Sequence, residues 1–317
     1  MNLIEEAVIL EIFGIKMYAF GVYVALGTLF SMITLALLCR YFGTKPGTSA
    51  LTALLSLVCG MIVSRLAFCL LNQELGSMTP FHAWLKVNGG GWSMFGVIGG
   101  VFIGGWLSTR IMKERSGKIF DAISISVLPF VFTERIGENR IIDFDVSRAI
   151  DNETLKKSFL AIGDEEPVLA TYYIAAAAAL FIFIILMFYL PKCRREGNLA
   201  VRFLILFGAV SIITESLRYD RFLSITFVRL QQIAAAVMLA IGLALAIHRS
   251  NKPKSFLAVA AAVSIPLMAG AVIGLEFALD RTTWNKIMIY AVMIITVSIP
   301  AVLGLRLLRI GEEGKQQ

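Results

Sequence analysis

Arginines and carboxylates gather at the ends of otherwise apolar stretches of this chain, and they do so in three places. Arg65 lies in SRLAFCLLN. A second group is Glu134-Arg135-Ile136-Gly137-Glu138-Asn139-Arg140, and a third is Glu215-Ser216-Leu217-Arg218-Tyr219-Asp220-Arg221, followed by Arg229, Gln231 and Gln232. On a helix, Glu134 and Glu138 are four apart and share a face, with Arg135 and Asn139 on the neighbouring one; Glu215 and Arg218, three apart, can pair. A charge beside a membrane-spanning stretch is costly, so each needs a partner or a task. Guanidinium stays charged and presents planar, paired donors, which suits a phosphate. The group as a whole therefore points to an anionic ligand. The alternative is that the same arginines pair with Glu134, Glu138, Asp143 and Glu215 to hold helices together, or snorkel to the interface.

Other chemistry is poorly served. Histidine, the usual proton carrier near neutral pH, occurs only at His82 and His248. The first falls in a loop and the second at a helix end, where the dipole favours a cation, and neither is assigned catalysis. Cys39, Cys59, Cys69 and Cys193 lie in or beside apolar runs without CxxC spacing. They behave as small hydrophobes rather than as a metal or disulfide framework, and no metal or cofactor is expected.

The elements that position these residues follow from composition. The chain is 58% hydrophobic and 16% charged, against about a quarter charged in soluble domains. Seven segments provide the roughly 20 apolar residues of a membrane helix: Met17–Cys39, Leu51–Leu71, Gly89–Thr109, Val168–Leu190, Leu223–Ile247, Phe256–Leu275 and Ile287–Leu305. Two shorter ones, Ile119–Thr133 and Arg202–Thr214, need flanking polar residues to complete a crossing. The expected fold class is all-α, a polytopic membrane bundle of about nine helices. Glu5, Glu6 and Glu11 replace the basic region of a cleavable signal, so the first run is expected to stay and span.

Loop charge sets the expected orientation. Alternate loops carry Arg40 and Lys45; Arg110, Lys113, Arg115 and Lys118; Lys192, Arg194 and Arg195; Arg249, Lys252 and Lys254; and a tail with Arg306, Arg309 and Lys315. Their acids are only Glu114, Glu196, Glu312 and Glu313, while the long loop 134–167 is acidic. The positive-inside rule then places the N-terminus outside and the C-terminus in the cytoplasm, the opposite ends that nine crossings require. The charged groups all fall at the outer face. The net charge of +7 is spread over short loops, which argues for membrane topology and against nucleic acid. Glycines are dense in 89–105, where they permit close helix approach or leave room for a lipid chain. No inverted repeat is evident, which argues against a transporter.

The order GxxxxRLxF in the second segment, GGWSMFG entering the third, ERIGEN closing the fourth, FLILFGAVSIITESLR for the sixth and RLQQIAAAVMLAIGL after it resembles the prolipoprotein diacylglyceryl transferase family. The likeness covers roughly residues 12–248. It divides the chain into a transferase-like membrane domain, 1–248, and two additional transmembrane helices with a cytoplasmic tail, 249–317. The resemblance implies an enzyme of the bacterial inner membrane. Such an enzyme takes phosphatidylglycerol and a prolipoprotein, moves the diacylglyceryl group to the lipobox cysteine and releases glycerol phosphate at the periplasmic side.

Position by position, Arg135 matches the arginine of the family's glycine-arginine-x-glycine-asparagine motif, Glu215 and Arg218 match the sixth-helix motif, Arg65 matches the second-helix arginine, and Asp143 stands where the family has a glutamate. Four positions depart. The family's histidine falls on Phe95, its motif asparagine on Glu138, its sixth-helix arginine on Ser211 and its N-terminal tyrosine on Phe20. Thioether formation needs a thiolate and a stabilised phosphate leaving group. With the histidine and one arginine gone, Glu138 or Glu134 is expected to replace the base, and Arg140 or Arg221 the cation. The expected catalytic residues are Arg135, Glu215 and Glu138, and the expected head-group contacts are Arg65, Arg135, Arg140 and Arg218. A catalytically inactive lipid-binding paralogue is the alternative, motivated by Phe95 and Ser211. A transporter gated by Arg65, Arg135 and Glu215 is the third possibility.

Overall fold

A computed structural model describes residues 8–12, 15–71, 91–140, 150, 156–162, 167–193, 195–218, 224–225, 228–250 and 255–313. Nine α-helices lie among the described residues: α1 (Ala19–Tyr41), α2 (Thr48–Leu71), α3 (Met94–Met112), α4 (Ser116–Gly137), α5 (Thr171–Tyr189), α6 (Asn198–Leu217), α7 (Leu230–Arg249), α8 (Phe256–Arg281) and α9 (Lys286–Glu313). All but α4 are long and apolar enough to cross a membrane. The protein is a polytopic helical membrane bundle, as the apolar runs require.

The exception has a physical reason. α4 carries Asp121, Ser124, Ser126, Glu134 and Arg135, yet Ile119, Ala122, Ser124, Ile125 and Leu128 are fully buried. A helix walled off by its neighbours need not be apolar all round. Polar flanks lengthen both short segments, to Ser116–Gly137 and Asn198–Leu217.

Several helix starts differ from the apolar runs. Met17 belongs to a hairpin of β1 (Val8–Ile12) and β2 (Ile15–Tyr18), and α1 begins only at Ala19. The run from Leu223 opens not as helix but as paired strands, β5 (Ser224–Ile225) with β6 (Val228–Arg229), so Arg229 precedes α7 instead of lying within it. Residues 224–229 read SITFVR, rich in the β-branched and aromatic types that suit a pleated backbone. α3 starts at Met94, where the Ser93 hydroxyl accepts from the Gly96 N–H at 3.4 Å and caps the first turn. A further short pair joins β3 (Ala161–Ile162) to β4 (Val168–Leu169).

The chain forms two compact units, one of residues 1–185 and 217–222, the other of residues 186–216 and 223–317. In the first, α2 and α3 pack backbone to backbone. Gly96 and Gly104 make this possible: a Cβ on Gly96 would sit 2.6 Å from the Ser64 Cα, and one on Gly104 2.5 Å from the Leu55 carbonyl. Thr52 and Ser108 share a 2.7 Å hydroxyl bond across this seam, and Ser64 donates to the Ser93 carbonyl at 2.9 Å. At these positions the glycines serve helix contact, as small residues do in membrane bundles. Gly104→Val is therefore expected to destabilise the protein by about 3 kcal/mol, read as a lowered melting temperature in detergent. An unchanged melt would mean that the seam is looser than its geometry. In the second unit α6 is the most enclosed helix, with Leu199, Phe203 and Ile205 fully buried.

Candidate functional site

α4 ends at Gly137 and tightens into a single 3-10 turn, Glu138–Arg140. Residues three apart share a helix face, which brings Arg135 and Glu138 together. Arg135 Nη1 donates to Glu138 Oε1 at 2.5 Å, and its Nε lies 3.6 Å from Glu134 Oε2. Arg218, one residue beyond α6, reaches the same carboxylate: its Nη1 is 3.0 Å from Glu138 Oε1 and 3.1 Å from Oε2. The side chains of Arg135 and Glu138 are each 7% exposed, Arg218 11% and Glu134 15%. Two guanidinium groups and two carboxylates thus share a buried volume, and Glu138 sits between the two cations.

A cavity of about 390 Å³ opens beside this cluster within the same unit, lined by α1, α2, α3 and α4. Its lining runs from Phe20 to Leu35 along α1, about 22 Å at helical rise. One leaflet of a bilayer's hydrocarbon core is about 15 Å deep, so the lined stretch of α1 is longer than one leaflet. Among the described lining residues Glu134 alone is charged. Its Oε2 is buried and accepts no hydrogen bond from the described residues. The start of α1 closes on the end of α4 here, because Gly137 lets Tyr23 and Phe20 approach its backbone. Glu134 is thus the link between an apolar slot and the arginine cluster.

The other expected residues are placed as follows. Arg65 is buried on α2, donates to the Gly91 carbonyl at 2.8 Å and lies 5.5 Å from the Phe68 ring centroid. Phe95 is half-buried near the start of α3. Ser211 and Glu215 are buried on α6 in the second unit, and the Glu215 carbonyl accepts a bond from Arg229. The side chain of Arg140, and His82, Asp143 and Arg221 entirely, lie outside the described residues.

Several pairings between buried polar groups escaped the sequence reading. Gln232 Nε2 donates to Glu276 Oε1 at 2.9 Å, and Arg202 makes a two-pronged bond to Glu312 at 3.1 and 2.7 Å while lying 4.6 Å from the Tyr189 ring centroid. The signal was present: Glu276 and Arg202 are lone charges inside apolar runs, which carry a cost that demands a partner.

The family model described as prolipoprotein diacylglyceryl transferase matches residues 7–248, that is, α1 to the end of α7. No curated protein matches this chain.

Proposed function

We propose that this chain, which belongs to the prolipoprotein diacylglyceryl transferase family, moves a diacylglyceryl group from phosphatidylglycerol to the cysteine thiol of a prolipoprotein. Membership makes it a multi-pass membrane transferase of lipoprotein biosynthesis. The choice of phosphatidylglycerol, the inner-membrane location and the residue roles are our reading. The observation that carries it is the continuity between an acyl-sized cavity and the buried Arg135–Glu138–Arg218 cluster, joined by Glu134.

In this reading an acyl chain lies in the slot and the phosphodiester meets Arg135 and Arg218, with Arg65 supporting the head group. The cysteine thiolate attacks the terminal carbon of the diacylglyceryl group, a C–S bond forms, and the C–O bond to phosphate breaks. Glycerol phosphate departs with the electron pair and the arginines stabilise its growing charge. The thiol proton passes to a carboxylate, with Glu138 standing in for the histidine that Phe95 replaces, and Glu215 also required.

Purified full-length protein in phosphatidylglycerol vesicles should add a diacylglyceryl mass to a synthetic lipobox cysteine peptide, and Glu215→Gln should stop this. Bound lipid without any product would favour the inactive lipid-binding paralogue that Phe95 and Ser211 suggest. Flux of a solute in proteoliposomes would favour a transporter.

A further inference from the structure

The family match stops at residue 248, yet the helices beyond it hold α6 at both ends. At its first turn, Glu312 of α9 accepts from Asn198 Nδ2 at 2.8 Å and from both outer nitrogens of Arg202. At its last turn, the Tyr290 hydroxyl of α9 donates to the Ser216 carbonyl at 3.2 Å and lies 3.4 Å from the Ser216 hydroxyl. Between them, Glu276 of α8 accepts from Gln232 Nε2, which also donates to the Ile212 carbonyl at 3.2 Å. Gln232, Glu276, Glu215 and Ser216 are all 2% exposed or less.

These contacts answer a definite need. The last four carbonyls of a helix lack intrahelical donors, and unmet polar groups in a membrane cost several kcal/mol. For α6 these include the carbonyls of Glu215 and Ser216, which are taken by Arg229 and Tyr290. The donor to Glu215 comes from the family region, whereas the donor to Ser216 and the acceptor that orients Gln232 come from α9 and α8.

We infer that α8 and α9 are a built-in clamp that fixes the height and rotation of the α6 end carrying Glu215, with Tyr290 and Glu276 as its positioning residues. The catalytic consequence rests on the transferase reading above; the clamp itself does not. Neither side chain touches substrate in this assignment. They act by setting where the Glu215 carboxylate points.

The test uses the full chain in phosphatidylglycerol nanodiscs. Tyr290→Phe removes the hydroxyl and Glu276→Leu removes the acceptor, while Glu276→Gln keeps an oxygen for Gln232. Amide hydrogen exchange over residues 211–218 should quicken roughly tenfold in Tyr290→Phe and Glu276→Leu, and stay near wild type in Glu276→Gln. With lipobox peptide, kcat should fall roughly tenfold in the same two variants with KM little changed, and Glu276→Gln should rescue it. Arg309→Gln, which removes an exposed pair with Glu313, should alter neither readout. Unchanged exchange in both loss variants overturns the clamp. So does faster exchange across the whole protein with kcat per folded molecule preserved. A wild-type protein that turns over no peptide defeats the transferase reading, and the exchange measurement still decides the clamp.

Discussion

Arg135→Ala is expected to abolish diacylglyceryl transfer and to lower stability by about 3–5 kcal/mol. Arg135 reaches both Glu134 and Glu138. Its removal takes a cationic neighbour from two buried carboxylates at once, and an uncompensated buried charge is far more costly than a missing pair. The transfer rate should fall at least about 10²-fold, the usual loss when a preorganised donor to a developing anion is deleted. Because a poorly folded protein also fails to turn over, the informative partner is Arg135→Lys. Lysine restores the charge as a single point but cannot present one nitrogen to Glu134 and another to Glu138 in a fixed plane. Its melting temperature should return most of the way to wild type while transfer stays low. Full transfer by the lysine variant would show that planar, two-pronged recognition is not required. An alanine variant as stable as wild type would show that the four charges do not depend on one another.

Much of the scaffold was legible because bilayer thickness dictates the length of an apolar run, and seven segments announce themselves that way. The segments of α4 and α6 were too short to cross unaided, and α4 was so for the reason that makes it central. Hydropathy averages a whole turn, and it cannot see that Asp121, Ser124 and Ser126 face other helices. The hairpin ahead of α7 was missed because apolar content does not separate a strand from the first turns of a helix; the β-branched run was the usable clue. Arg135, Glu138 and Arg218 were picked out individually, since charge near the membrane is informative by itself. That Arg218 reaches Glu138 from 80 positions away is another matter. No periodicity records it, because the pairing depends on α6 ending at Leu217 and α4 tightening after Gly137. The cavity is likewise a property of how four helices diverge, and the family resemblance ended before the residues of α8 and α9 that grip α6.

Glu138→Asn carries the second large effect, and it separates two roles assigned to one residue. The substitution installs the amide of the family motif and releases both Arg135 and Arg218 from the carboxylate they share. In discs of zwitterionic lipid the variant should be destabilised by about 3–5 kcal/mol, since two buried guanidinium groups then lose the carboxylate they share. Phosphatidylglycerol should restore much of that loss, because its phosphate, with no head-group cation beside it to compete with the arginines, offers the charge-assisted acceptors that Glu138 had supplied. A ligand at about a hundred times its Kd stabilises by about 2.7 kcal/mol, a gain that thermal melts resolve. Wild type should respond less to the same lipid, because Glu138 already occupies the position. Equal responses from the two proteins would sink the idea that carboxylate and phosphate compete for one place. If Glu138 also removes the thiol proton, the variant should bind phosphatidylglycerol more tightly and yet transfer more slowly, with raised pH recovering part of the rate as the free thiolate fraction grows. Tighter binding together with faster transfer would assign the base elsewhere and leave Glu138 as a restraint on the lipid site.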